Sequence, residues 1–258
     1  MKRKWMPGTI VLSVLLVATL SGHSGSVVAS SGTIDIPFPP LPAGIRSVVL
    51  EETANNTLML IGNQPDVIGK REAVEKLYLW DKERASMRMQ AYGRPVSALS
   101  DYYPLDIYYS AQGSHPYGNG MVWTYYDNTH VRDERPTPTE QATIDGDTIT
   151  FWSGTSPSYY SDQIELSESW KFHGLSVSVS VGSAGIGGNF QAYGDTVSWS
   201  SGWVNTAGWG WRLENVYSGV QGRSWLDLTS LDDSAMGSHR FGGHYVTVWA
   251  NGHVTLPE

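Results

Sequence analysis

The sequence contains no cysteine. That absence removes disulfide staples, thiol nucleophiles and thiolate metal centres together. It also removes the acylated cysteine that follows a lipoprotein leader. Basic residues are scarce: 17 Lys and Arg stand against 25 Asp and Glu, a formal charge of −8. Phosphate backbones and anionic lipid surfaces attract basic proteins, so nucleic acid and acidic membranes are disfavoured as partners. Long apolar runs are missing as well. Residues 10–20 form an eleven-residue apolar stretch, well short of the ~20 residues that cross a bilayer as a helix. No later run exists, so no integral membrane segment is expected after the leader. There is no GxSxG elbow, no HExxH and no phosphate loop. No repeat of fixed period emerges, which argues against a propeller or solenoid.

What is present begins with a targeting pattern. Lys2, Arg3 and Lys4 precede the apolar stretch, and Val27-Val28-Ala29 precede Ser30. This three-part pattern predicts a secretory signal peptide over 1–29 and an extracellular product. Export without disulfides suits a bacterial exoprotein. Setting aside the three leader cations leaves 14 basic and 25 acidic residues, a formal charge of −11 over the remaining chain. That chain is long enough to build its own core.

Trp (11) and Tyr (14) are abundant beside 28 Gly. The balance favours strands over helices. Residues 30–45 are Pro-rich and read as an extended lead-in. The runs 47–51 and 57–61 flank TANN and predict a hairpin. Residues 70–76 fit one or two helical turns. The runs 77–80 and 86–90 suggest a second hairpin, so 46–98 reads as a small N-terminal β-meander. A C-terminal β-sandwich is expected over 99–258. Within it, 106–110 and 121–126 read as strands around a turn-rich loop. Asp145-Gly146 and Asn251-Gly252 are strong hairpin signals, and a further turn is expected at Gly194-Asp195. The fold class is therefore all-β, an antiparallel sandwich built from hairpins.

The stretch LSVSVSV, residues 175–181, alternates apolar and Ser without a miss. With a turn at His173-Gly174, Phe172 faces Leu175, Trp170 faces Val177, Glu168 faces Val179 and Leu166 faces Val181. All lie on one side of a sheet, and the serines lie on the other. Seven residues at ~3.4 Å each span roughly 24 Å, whereas a tilted transmembrane strand needs about 9–11 residues. A hairpin packed on a core is the first reading. A pore-forming hairpin within 163–201 is the second, because the glycine-rich GSAGIGG resembles an insertion tip.

Glu168 stands on the apolar side of that pattern. There it is a raised-pKa acid, a residue turned outward by a bulge, or a paired structural carboxylate. Glu165, Glu168, Asp195 and Asp227 are the acids available for glycoside hydrolysis, provided that distant segments bring two together. His239, His244 and His253, with Asp232-Asp233, form a local cluster without the short zinc spacings, so no metal site is expected. No cofactor is implied.

The indole-rich stretch WSSGWVNTAGWGW is the most suggestive feature. Trp199, Trp203, Trp209 and Trp211 either fill a core or form a platform that stacks on sugar rings. The platform makes them the candidate ligand-binding residues. The leading expectation is a secreted, non-enzymatic protein that binds a polysaccharide or a cell-surface protein. A secreted antimicrobial pore former and a carboxylate-dependent glycan hydrolase are the alternatives. Oligomeric state is not legible.

Overall fold

The computed structural model describes residues 39–92, 102–105, 108–115, 118–126, 129–133, 139–154, 160–182 and 189–256, with backbone pairing alone for the strands between 102 and 133. The expected leader and most of the Pro-rich lead-in lie outside these residues. The chain is mostly strand, arranged in two antiparallel sheets, with one α-helix among the described residues.

The first hairpin forms where the sequence places it. β1 (Ile45–Glu52) pairs with β2 (Asn56–Asn63). It does not stand apart as a meander. β2 also pairs with β13 (Gly210–Ser224), so the hairpin is the edge of the larger sheet. That sheet runs β1-β2-β13-β7-β5-β4, where β4 is Tyr108–His115, β5 is Gly118–Tyr126 and β7 is Glu140–Trp152. Three short strands join it: β3 (Tyr102–Leu105), β6 (Thr129–Asp133) and β9 (Ser178–Val181). The second sheet runs β10 (Phe190–Tyr193), β11 (Thr196–Ser200), β8 (Gln163–Gly174), β14 (Leu228–Phe241) and β15 (His244–Thr255), with β12 (Val204–Asn205) beside β8.

The hairpin expected from 77–80 and 86–90 is replaced by a single helix, α1 (Lys70–Tyr92). Among its described side chains, Lys70, Ala73, Leu77, Trp80 and Arg84 are buried. Their spacing of three and four residues is that of one helical face. Ala73, Leu77 and Trp80 pack against Ile45, Ile61, Phe151 and Trp211 of the larger sheet. Charges fix the same contact. Arg84 pairs with Asp147 and Glu214, while Arg212 grips Asp81 through 2.7 and 2.8 Å bonds and reaches Glu214 at 2.6 Å. Burial alone would raise the pKa of Glu214, but Arg84 and Arg212 overrule it and hold the carboxyl at about 2.

The turn predicted at His173-Gly174 is not a hairpin. β8 and β9 belong to different sheets: Trp170 lies opposite Val197 and Asp233, whereas Val179 lies opposite Gly222. The chain crosses between sheets at Leu175-Ser176, where Ser176 has φ 54°. The crossing is held by Ser224 Oγ and the Trp225 N–H, which donate to Leu175 O at 2.8 and 3.0 Å. Sidedness survives the correction except at Leu175, which is exposed at the crossing and does not face Phe172. Leu166, Trp170, Phe172, Val177, Val179 and Val181 all enter one core shared by the two sheets. Two sheets facing each other impose the same inward parity as two paired strands. The segment 163–201 is therefore not one hairpin, because β8 pairs inside one sheet and β9 pairs with β13 in the other.

Two more turn signals are overruled. Asp145-Gly146 lies in the unbroken strand β7, where Asp145 Oδ1 accepts the Gly219 N–H at 2.6 Å beside a register shift in β13. Asn251-Gly252 lies within β15, and the reversal before that strand uses Gly242-Gly243, with Gly242 at φ 58°. The Gly194-Asp195 turn does form, between Tyr193 and Thr196, and Gly194 supplies φ 61°.

Candidate binding face

Strand alternation gives the six-stranded sheet an inner and an outer face. The inner side chains of β8 are Ile164, Leu166, Glu168, Trp170 and Phe172, all buried. Glu168 is the paired structural carboxylate, not an outward residue. It accepts from Thr148 Oγ1 and, at 3.2 Å, from Tyr217 Oη. Burial, then the charges of Glu168 and Asp233, push the Tyr217 phenol well above its ordinary pKa. His239 is also interior and meets Thr150 Oγ1 at 3.0 Å. Its burial, with the charge of Lys70, lowers its pKa to about 3. His239 therefore points away from His253, and the histidine cluster of the sequence divides between the two faces.

The outer face is different in kind. Cross-strand register places Gln191, Ser198, Ser169, Ser234 and Asn251 side by side in one row over five strands. The next row holds Ser200, Ser167, Met236 and Trp249. Neither row carries a charge. Ser234 Oγ donates to Asn251 Oδ1 at 2.7 Å. Among the described residues, the hydroxyls of Ser167, Ser169 and Ser198 have no protein partner. Trp249 is 56 % exposed. Apart from Met236 and Asn251, the residues of the two rows, with Asn189, line a shallow depression of about 260 Å³.

Charged residues bound the two rows. On one side Lys171 lies opposite Asp232, and Asp232 lies opposite His253. Asp232 accepts from His253 Nδ1 at 2.5 Å and meets His173 Nε2 at 2.7 Å. These hydrogen bonds, His253 first, hold its carboxyl below the ordinary Asp range. On the other side, Glu165 accepts from Ser200 Oγ at 3.4 Å.

The four indoles expected to form one platform go to separate places. Trp199 is buried in the core between the sheets. Trp211 is buried beneath α1 and donates to Asn63 Oδ1 at 3.2 Å. Trp209 is half-buried, with the Arg46 guanidinium 3.7 Å over its ring. Trp203 alone of the four is exposed. It precedes Val204, which packs on the core and lies opposite Ile164. Alternation therefore puts Trp203 on the outer side, across from Glu165. Sequence reasoning missed Trp249, which it treated as part of a terminal hairpin. The signal was there in YVTVWAN, whose aromatic and Thr positions share one parity.

The proposed catalytic acids do not converge. Glu165 and Glu168 point to opposite faces of β8, while Asp195 and Asp227 lie in the turns after β10 and β13. Among the described residues, no group of three His, Asp or Glu side chains is arranged to hold a metal ion, and no helix is long and apolar enough to cross a membrane.

No known family matches the chain, and no curated protein matches it. Two solved structures show slight similarity. One is described as manganese lipoxygenase of Gaeumannomyces graminis with a partial structure of zonadhesin of Komagataella pastoris. It is 10 % identical over 63 % of this chain and 76 % of that one, with a TM-score of 0.24. The other is described as a pore forming protein. It is 5 % identical over 58 % of this chain and 89 % of that one, with a TM-score of 0.16. At those scores neither bears on fold or function.

Proposed function

We propose that the protein is a secreted, non-enzymatic binding protein that holds an extracellular polysaccharide on the outer face of its six-stranded sheet. One observation carries this reading: serine hydroxyls without a partner among the described residues, in two uncharged rows of the outer sheet face, with the exposed indole of Trp249 in one of those rows and that of Trp203 in the row beside it. A hydroxyl donates and accepts, which matches the hydroxyls of a sugar. An indole covers the apolar face of a pyranose ring. The serines and Trp249 stand on strands, which fixes their geometry more firmly than loops would, and Trp203 immediately precedes β12.

The test is depletion from solution by insoluble cellulose, chitin, xylan and β-1,3-glucan. The wild-type chain is expected to bind at least one matrix, and a Trp203→Ala/Trp249→Ala variant is expected to stay in solution with an unchanged circular dichroism spectrum. If the two indoles are the hot spots of the site, truncating one costs about 2 kcal/mol or more of binding. Equal retention of the folded double variant, or no retention of the wild type on any matrix, refutes the assignment.

A further inference from the structure

We infer that the ligand is an uncharged glycan chain of several units, laid across the strands so that it touches both Trp203 and Trp249. This rests on the polysaccharide reading and specifies its substrate class. In the sheet order, Trp203 flanks β8 on the β11 side and Trp249 lies on β15, two strands away on the opposite side. Three strand spacings separate the two indole positions, roughly 14 Å at ~4.8 Å per strand. Along the strands, Trp203 lies in the row of Glu165 and Ser238, one row beyond Ser167, Met236 and Trp249. A single sugar ring cannot reach both indoles, whereas a chain laid over β8 and β14 between those two rows can. Each indole alone is a weak site. Linking two contacts through one ligand makes the second effectively intramolecular and raises affinity steeply with chain length.

Charge selects the class. The two central rows present Ser, Asn, Gln, Met and Trp, with no cation among them. Two cations stand on the same face outside these rows: Lys171 lies beside Asp232 in the adjoining row, and Arg240, two rows beyond Met236, donates to Gln163 Oε1 at 2.9 Å and to Gly242 O at 3.0 Å. A uronate or phosphate group carries acceptor oxygens that want guanidinium or ammonium donors. Here it would meet the neutral hydroxyls of Ser167 and Ser238 and, beside Trp203, the carboxylate of Glu165, which repels it. The formal charge of −8 for the whole chain adds a repulsive background. Met236, between Ser167 and Trp249 in its row, extends the apolar wall on which the non-hydroxyl face of a ring packs.

Isothermal titration with soluble oligosaccharides tests this, using the full protein. Dimers and hexamers of β-1,4-glucose, β-1,4-xylose, β-1,4-N-acetylglucosamine and β-1,3-glucose are compared with polygalacturonate. A neutral hexamer is expected to bind at least tenfold more tightly than its dimer. Its affinity should not change between 50 and 500 mM NaCl, and Trp249→Ala should bring hexamer binding down to dimer strength. Tighter binding of polygalacturonate that weakens with salt and is lost in Trp249→Ala overturns the inference and leaves the face reading intact. Equal affinity for dimer and hexamer does the same. Unaltered binding in both Trp249→Ala and Trp203→Ala, or no binding to any glycan, overturns the face reading itself.

Discussion

Lys70 begins α1 at 3 % exposure, with its ammonium 4.8 Å from the Tyr160 ring centre and 5.6 Å from that of Trp211. Among the described residues it has no hydrogen-bond acceptor. Burial lowers its pKa from 10.5 to about 7. Between those values the unfolded chain holds a proton that the folded chain has released. Stability therefore rises with pH over this window, by about 1.4 kcal/mol per unit at full slope. The two rings favour the charged form by about 1 kcal/mol and trim the slope near its lower end. From pH 7.5 to 9 the expected gain is about 1.5–2 kcal/mol. Lys70→Met keeps the aliphatic stem and removes the titration, so its stability should be flat over the same range. Urea unfolding at fixed ionic strength measures both. The range stops at pH 9 because the buried phenol of Tyr217 has a raised pKa and acts oppositely: its stabilisation is lost as pH climbs past 10. Parallel profiles for wild type and Lys70→Met would refute the assignment of this buried ammonium.

Three other perturbations follow from the packing. His239 has its folded pKa lowered to about 3 from 6.5, so the protein should lose stability as pH falls below 6.5, by up to about 2.7 kcal/mol at pH 4.5. His239→Gln should flatten that limb in urea titrations. Arg84→Met leaves Asp147 and Glu214 in their buried positions with one guanidinium fewer, which should cost about 3–5 kcal/mol in the same assay. A Cβ on Gly222 would lie 2.2 Å from the Phe172 ring, whereas one on Gly243 meets nothing within 4 Å. Gly222→Ala should therefore cost about 1–3 kcal/mol by overpacking and Gly243→Ala almost nothing. A thermal melt in which the two alanines behave alike would contradict the steric account.

Much of the strand content was legible because period-2 alternation is a local signal. The β1–β2 hairpin and the Gly194-Asp195 turn followed from nearby residues alone. Pairing partners were not legible. Asp145-Gly146 carries a strong turn signature, yet Asp145 satisfies a backbone N–H on a strand 74 residues away. Asn251-Gly252 competes with Gly242-Gly243, and only the register of β14 against β15 decides which dipeptide turns. The helix was hidden by its own composition. LYLW reads as strand from its aromatics, and Tyr78 and Leu79 are exposed on the helix, so the apolar count points away from the 70, 73, 77, 80, 84 face. The arginines and acids that dock that face are far apart in sequence and gave no local sign.

The binding face shows why density of a residue type in sequence differs from density in space. Four indoles within thirteen residues suggested a platform, yet each step of the backbone redirects the next side chain. Trp199 goes inward from β11, Trp203 outward after a glycine at φ 58°, Trp209 onto Arg46 and Trp211 under the helix. The partner of Trp203 in the proposed site comes instead from Trp249, 46 positions later. On each strand taken alone the serines are the polar half of an alternation, which is what any solvated strand shows. Their collective character appears only when β11, β8 and β14 are set in register, because serines unremarkable on each strand become an uncharged surface when they align.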